Sequence, residues 1–304
     1  PDYWQAGKPY LDEIRYLVLP DDSSRYAAFE TGQLQLLRGI DDIQAASTVK
    51  RAAPTAIVQE GIDPQAQGLY INQRRPPFTD LRLRKALSLA LDRDEFIRTF
   101  AGGRGGWAMS DSLPELWTEQ EAKQILKFDP AQAKQLVGDA GFPNGLDVEL
   151  MLMQGTAPPA AIELLQAQMK KAGINMTIKP VDKATGSARL HAGDFTLVPT
   201  TQLIFADLDS RLYGNYYSTS PSNYIGVKDP KLDTLIEAQR REPDSAKRRN
   251  ALRAVTRYMN ENAISLALYP KPTTTFWSPA LKGYSDNWQQ QNLNAPDIWL
   301  ETGR

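Results

Sequence analysis

The chain has 304 residues, 41% of them hydrophobic and 23% charged, and a formal net charge of −1 from 35 basic and 36 acidic side chains. That length suits two domains or one large one, and the balanced charge excludes an electrostatic case for nucleic acid or an anionic membrane as partner. The absence of cysteine excludes disulfides, thiolate catalysis and cysteine-held zinc or iron–sulfur centres, and no apolar run is long enough to span a bilayer.

The opening stretch PDYWQAGKPYLDEI has neither the basic nor the apolar region of a signal peptide. Pro1 is not a start, so it is expected to be an internal position of a longer chain. Residues 1–12 read as a polar, aromatic loop. Alternation of Ile14, Tyr16 and Val18 predicts a strand over 13–19, stopped by Pro20-Asp21-Asp22-Ser23. A helix over 24–31 ends at Gly32, followed by a strand at 34–37, a helix at 41–51 and a strand at 56–59.

Residues 68–96 join a strand to a helix through a proline-stiffened corner. Leu69, Tyr70 and Ile71 form the short strand; Pro76 and Pro77 fix φ and remove two backbone donors. Thr79 is the expected N-cap, with Asp80 in the first turn and Phe78 and Leu83 spaced as a hydrophobic staple. Leu83, Ala86, Leu87, Ala90 and Leu91 share one helical face. Residues 101–117 are irregular, with Gly102, Gly103, Gly105 and Gly106 around Arg104. A helix over 129–140 starts at Pro130 and ends at Gly141. A strand at 146–153, a helix at 159–172, a strand at 174–181, a helix at 185–191 and a strand at 195–199 follow, which argues for an α/β lobe. Helices at 229–240 and 243–262 precede an apolar strand at 264–269, and the chain from 277 onward is irregular and aromatic.

Catalytic material is scarce. The single histidine, His191, reads as a solvated helix-end residue and offers no triad. Ser47-Thr48-Val49-Lys50 and Ser285-Asp286-Asn287 match two of the three motifs of serine β-lactamases, but the third is missing. The glycine cluster at 102–106 lacks the G-K-[ST] of a phosphate loop. Its neighbours Trp107 and Met109 read equally as core or as groups that close over a ligand. Asp194, Asp207 and Asp209 lack partners at metal-ligand spacing and read as solvated loop acids. No metal and no cofactor is expected.

The ordered motifs resemble the family 5 extracytoplasmic solute-binding proteins, the dipeptide, oligopeptide and nickel receptors of ABC importers. The carriers in the corner are Asn72, Pro77, Phe78, Asp80, Arg84, Ala86, Leu87, Asp92 and Arg93. Tyr3-Trp4 through Leu11-Asp12, Phe29-Glu30-Thr31-Gly32, Phe128-Asp129-Pro130 through Ala140-Gly141, and Ser222-Asn223-Tyr224 through Asp233 add four more segments in the family's order. Gln35 stands where the family usually has an acid.

This resemblance implies an α/β, two-lobed periplasmic-binding-protein-like fold (type II, cluster C) with the N-terminal part of lobe I absent. Residues 1–67 are then a lobe I segment, 68–268 the second lobe and 269–304 the return to lobe I. Hinge crossings fall near 59–72 and 266–272, and closure over a solute is the implied motion. The implied partners are a small-molecule solute, an ABC permease in the inner membrane and the chain's own missing N-terminal segment. The protein is expected to be an exported, periplasmic or extracytoplasmic monomer, non-catalytic and without nucleic acid. A ligand-sensing domain of a regulator using the same fold is the alternative; a serine hydrolase is a further one.

Peptide-binding members carry a G-W-x-x-D-Y-x-D-P segment whose first aspartate pairs with the peptide's α-amino group. Counted back from Asp207-Leu208-Asp209, that aspartate falls at Ile204, the tryptophan at Thr201 and the tyrosine at Phe205. An unpaired ammonium is costly to desolvate, so a solute other than a standard peptide is expected, with a sugar, polyol or opine-like molecule favoured. The candidate ligand-binding residues are Tyr70, Trp107, Met109, Thr200, Thr201, Gln202, Phe205, Asp207, Asn223, Tyr224 and Tyr269. Tyr216 and Tyr217 are further candidate stacking faces.

Overall fold

A computed structural model describes residues 3–19, 21–202, 208–285 and 295–301. The chain divides into two compact units, one of residues 1–63 with 272–304 and one of residues 64–271.

The first unit contains α1 (Asp22–Glu30), β1 (Leu36–Ile40), α2 (Ile43–Ala52) and the start of β2 (Ile57–Ile71). Acidic caps start both helices: Asp21 accepts from the Ser24 N–H, and Asp42 from those of Gln44 and Ala45. Gly32, at φ +77°, supplies the left-handed residue that turns the chain after α1. Phe29, Leu37, Ile40, Ala46, Val49 and Phe276 form its core, and the Phe29 and Phe276 rings lie 6.0 Å apart. Residues 13–19 form no strand, and Ile14, Tyr16 and Val18 are exposed. Alternation fits a half-buried strand, but alternation alone does not make the ladder that a strand requires.

The second unit opens with the rest of β2. The sequence reads residues 56–59 and 69–71 as separate short strands, whereas β2 is one strand of 15 residues through Gly61 and Pro64. After the corner come α3 (Leu81–Leu89), α4 (Arg93–Phe100), α5 (Glu119–Ile125) and α6 (Pro130–Asp139). The cap of α3 is Asp80, not Thr79: its carboxylate accepts from the Arg82 N–H, a stronger acceptor than a hydroxyl at a helix start. Asp92 divides α3 from α4 and caps the latter.

β3 (Leu146–Met153), α7 (Pro159–Lys171), β4 (Ile174–Val181), α8 (Lys183–Ala192) and β5 (Leu197–Gln202) follow, then α9 (Leu208–Tyr216), α10 (Pro230–Arg241), α11 (Ser245–Glu261) and β6 (Ser265–Trp277). The strand expected to end at 269 continues past Pro270 and Pro272 to Trp277, and its ladder with β1 begins at Thr274, beyond both prolines. Two short strands, β7 (Leu281–Lys282) and β8 (Trp299–Leu300), pair in the first unit.

The order within the second unit is β6-β2-β5-β3-β4. β2 and β5 are antiparallel, with Gly68 opposite Thr200 and Tyr70 opposite Val198. β3 and β4 are parallel, in register from Leu146 opposite Ile174 to Met153 opposite Val181. Strand alternation sends Leu69 and Ile71 into one core with α3, α4, α6 and α7, and Tyr70 into another with α9, α10 and α11. Helices on both sheet faces make this unit α/β, which explains the apolar run that ends β3 and the one that starts β6.

Two polar side chains, Arg93 and Asn72, fasten the chain. Arg93 is fully buried and donates to the carbonyls of Ser88, Leu126 and Ala267, at the ends of α3 and α5 and in β6. Burial pulls its pKa down to about 9. At the corner, Asn72 donates to Gly193 O at 2.9 Å and Phe195 O at 2.6 Å, while its Oδ1 accepts from the Arg74 N–H.

Candidate functional site

The strongest concentration of buried polar groups lies in the second unit, beside the end of β5. Ser110 and Asp111 reach it on the loop before α5. Asp111 sits at φ +48°, a region that L side chains rarely adopt. Asn260 of α11 holds this loop by accepting from the Ser110 N–H at 2.9 Å and donating to the Ser110 carbonyl at 3.1 Å. The Asp111 carboxylate then accepts from Arg211 Nε, the Tyr216 hydroxyl, Ser265 Oγ at 2.9 Å and Ser110 Oγ at 3.2 Å. Gln202, the last residue of β5, joins by donating to Ser110 Oγ at 2.7 Å and Leu266 O at 3.2 Å.

Burial alone lowers the pKa of the Arg211 guanidinium, but the adjacent Asp111 carboxylate more than reverses this and holds it above its ordinary value. Burial, reinforced by Asp111, pushes the Tyr216 phenol well above the usual tyrosine range. Four donors, Arg211 among them, occupy the lone pairs of this carboxylate. The centre is built to fix geometry. At its rim, the Tyr70 hydroxyl accepts from Asn215 Nδ2 at 3.2 Å and Arg211 Nη2 at 3.4 Å, and lies alongside the Thr200 hydroxyl.

Of the residues expected at a ligand site, Tyr70, Thr200 and Gln202 therefore come together. Thr201 pairs with Gln67 in the β2–β5 ladder, and strand alternation sends its side chain to the opposite face from Thr200. Trp107 donates to Asp94 at 2.6 Å and lies under Arg93 and Lys123, and Met109 is buried with Ala122 and Leu126. The Asn223 side chain closes its own turn, donating to Val227 O and accepting from the Gly226 and Val227 N–H groups. Tyr224 meets His191 edge-on at 4.8 Å, and Tyr269 stacks on Phe96 and Phe100 inside the core. Tyr216 is a buried donor rather than a stacking face; Tyr217 stacks on Tyr213. Ile204, Phe205 and Asp207 lie outside the described residues.

Asp111, Arg211, Ser110 and Ser265 belong to no motif of the sequence. Leu208, Arg211, Leu212 and Tyr216 are the buried residues of α9 and follow helical spacing, so that pattern would have placed Arg211 on an apolar face. Ser47, the serine of the S-x-x-K match, donates to Ile43 O within α2, and Lys50 pairs with Glu60. Asp194 pairs with Arg75 and Arg189, and Asp209 with Arg240. No cluster suited to a metal occurs among the described residues, and none of their helices is long and apolar enough to cross a membrane.

Residues 1–224 match the family of bacterial extracellular solute-binding proteins, family 5, middle part, and the chain belongs to that family. The family is defined by solute binding rather than catalysis. The dipeptide-binding protein of Escherichia coli (strain K12) is 25% identical over 294 residues, 93% of this chain and 54% of that protein. The binding protein MoaA from A. tumefacien R10, solved with mannopinic acid, is 26% identical with a TM-score of 0.70 over 88% of this chain and 55% of that one. AgaA from the same source, solved with agropinic acid, has a TM-score of 0.83 at 22% identity over 100% of this chain and 63% of that one. The chain spans only between 36% and 56% of the length of the curated relatives it matches.

Proposed function

We propose that this chain is part of the solute-binding receptor of an ABC importer, acting outside the cytoplasm as a monomer. It captures a small solute and delivers it to an inner-membrane permease. We further propose that the solute is opine-, sugar- or polyol-like rather than a peptide with a free amino terminus. One observation carries the narrower reading. Around the end of β5, the described acids are already engaged, Asp111 by four donors and Asp209 by Arg240 and Gln239. Neither offers a free carboxylate to an incoming ammonium, whose desolvation requires one. The groups at the rim are instead the Tyr70 phenol, the Thr200 hydroxyl and the Asn215 amide, which suit neutral hydroxylated or carboxylate-bearing molecules. The 26% identical MoaA, solved with mannopinic acid, is in keeping with this reading.

Isothermal titration of the full-length protein against opines, sugars and di- and tripeptides tests both levels. Saturable binding of an opine or sugar with no peptide binding is expected. Tight peptide binding overturns the narrower reading. Absence of all binding, with turnover of an ester or lactam, overturns the receptor reading.

A further inference from the structure

A second polar site lies elsewhere in the second unit, beyond the end of β2 where the chain turns the proline corner. It is a cavity of about 560 Å³, the size of a small-molecule site. Its charged lining is Arg74, Arg84, Lys228 and Asp229.

The cations are only partly engaged. Arg74 donates through Nε to Tyr224 O at 3.3 Å and through Nη2 to Asn223 O at 3.0 Å. Arg84 donates through Nη1 to Phe78 O at 2.9 Å and Thr79 O at 3.2 Å, and through Nε to Asn262 O at 3.4 Å. A guanidinium has five N–H groups, so Arg74 keeps three and Arg84 two without a protein acceptor among the described residues. Neither arginine forms an ion pair there. Lys228 is exposed and has no hydrogen-bond partner or ion pair among those residues.

The one acid is committed elsewhere. Asp229 Oδ1 caps α10 by accepting from the Lys231 and Leu232 N–H groups, and Oδ2 accepts from the Tyr258 hydroxyl at 2.8 Å. The positive end of the α10 dipole also faces that carboxylate. Three cations against one occupied acid leave the cavity net positive. The hydroxyl-bearing residues Thr79, Ser218 and Ser220 share its wall.

The arginines are held in place by the fold. A Cβ on Gly226 would come within 2.1 Å of the Arg74 side chain, so only glycine lets Arg74 lie across that turn. Burial lowers the pKa of Arg84, with Asp80 and Asp229 partly offsetting it. A second positive group nearby and no ion pair leave an incoming anion as its natural partner.

We propose that this cavity binds a small oxyanion, a carboxylate or phosphate group, through the guanidinium groups of Arg74 and Arg84 and the ammonium of Lys228. It is a separate site from the one beside Asp111 and Arg211, with which it shares no residue.

The test is calorimetric titration of the full-length protein with inorganic phosphate and with succinate, at low and high salt. Expected is saturable, salt-sensitive binding of at least one of the two, and the preference between them identifies the source of the oxyanion. Lys228→Glu, at an exposed position, leaves the melting temperature unchanged and weakens binding about threefold to tenfold. Arg84→Gln weakens it at least about tenfold, with Arg84→Lys recovering part of the loss. No saturable binding of either anion overturns the proposal. Binding unaffected by Lys228→Glu in a normally folded protein also overturns it. So does a poly-glutamate peptide that binds far more tightly than either small anion, which would make the cavity a protein-docking surface.

Discussion

Arg211 donates its Nε–H to the carboxylate of Asp111 across 100 residues of sequence, and both side chains are withdrawn from solvent. Tyr216, Ser265 and Ser110 complete the donors to that carboxylate. Removing one member strands the other as a buried charge. Arg211→Met is therefore expected to cost about 3–5 kcal/mol. The double variant Asp111→Asn/Arg211→Met is expected to cost less than the sum of the single changes. Urea unfolding of the four proteins measures the coupling, and simple additivity would refute it.

At Gly68, β2 leaves no room for a side chain beside this centre. A Cβ there would lie 2.7 Å from Gln202 Nε2 and 2.8 Å from the Leu266 carbonyl. One neighbour is a strand backbone that cannot easily yield. Gly68→Ala is expected to destabilise by about 1–3 kcal/mol and to displace Gln202 from Ser110. Unfolding curves give the first quantity, and a crystal structure of the variant shows the second.

At the corner, Asn72 uses its amide to donate twice to carbonyls and its oxygen to accept once. Asn72→Asp keeps the shape, removes both donors and sets a carboxylate against two carbonyl oxygens. A loss of about 2–4 kcal/mol is expected. The loss should shrink as the new acid is protonated at low pH, and chemical unfolding at two pH values checks both statements.

The capping box of α5 gives an acid-dependent contribution. Donation from Arg253 first, then from Thr118, lowers the Glu121 pKa from 4.5 to about 2. The folded value lies below the unfolded one, so the contribution is complete above about pH 4.5 and is lost as pH falls toward about 2. Glu121→Gln should lower the melting temperature at about pH 7 and make little difference near about pH 2. A constant difference across that range would show that the charge does not matter.

The regular α/β elements were legible because their patterns are local. Residues 146–153 and 174–181 alternate as strands, Pro130 and Asp129 announce α6, and observed boundaries agree within a residue or two. Residues 13–19 have the same alternation and no strand, since pairing depends on a partner that sequence pattern does not reveal. β2 and β6 run through glycine and proline because neighbouring strands supply support that local propensity omits. The family's corner was legible from Asn72 to Arg93, with the cap displaced by one residue. Half of the candidate site was not legible. Tyr70, Thr200 and Gln202 sit on strands that the family pattern locates, but Asp111 and Arg211 gain their meaning only from each other. Tyr269 and Met109 show the converse: large apolar groups near expected binding segments that pack inward.

Arg93 carries a consequence for the assembly of the second unit. Its acceptors lie 5, 33 and 174 residues away along the chain. A guanidinium leaves water cheaply only when all its replacement acceptors are in position. Any compact arrangement that brings α3 and α5 together without β6, or β6 without α5, leaves that cation half solvated in an apolar setting. The residue therefore acts as a proofreader of topology: it penalises incomplete collapse and makes the late-synthesised strand a condition for closing a core that most of the earlier helices already outline.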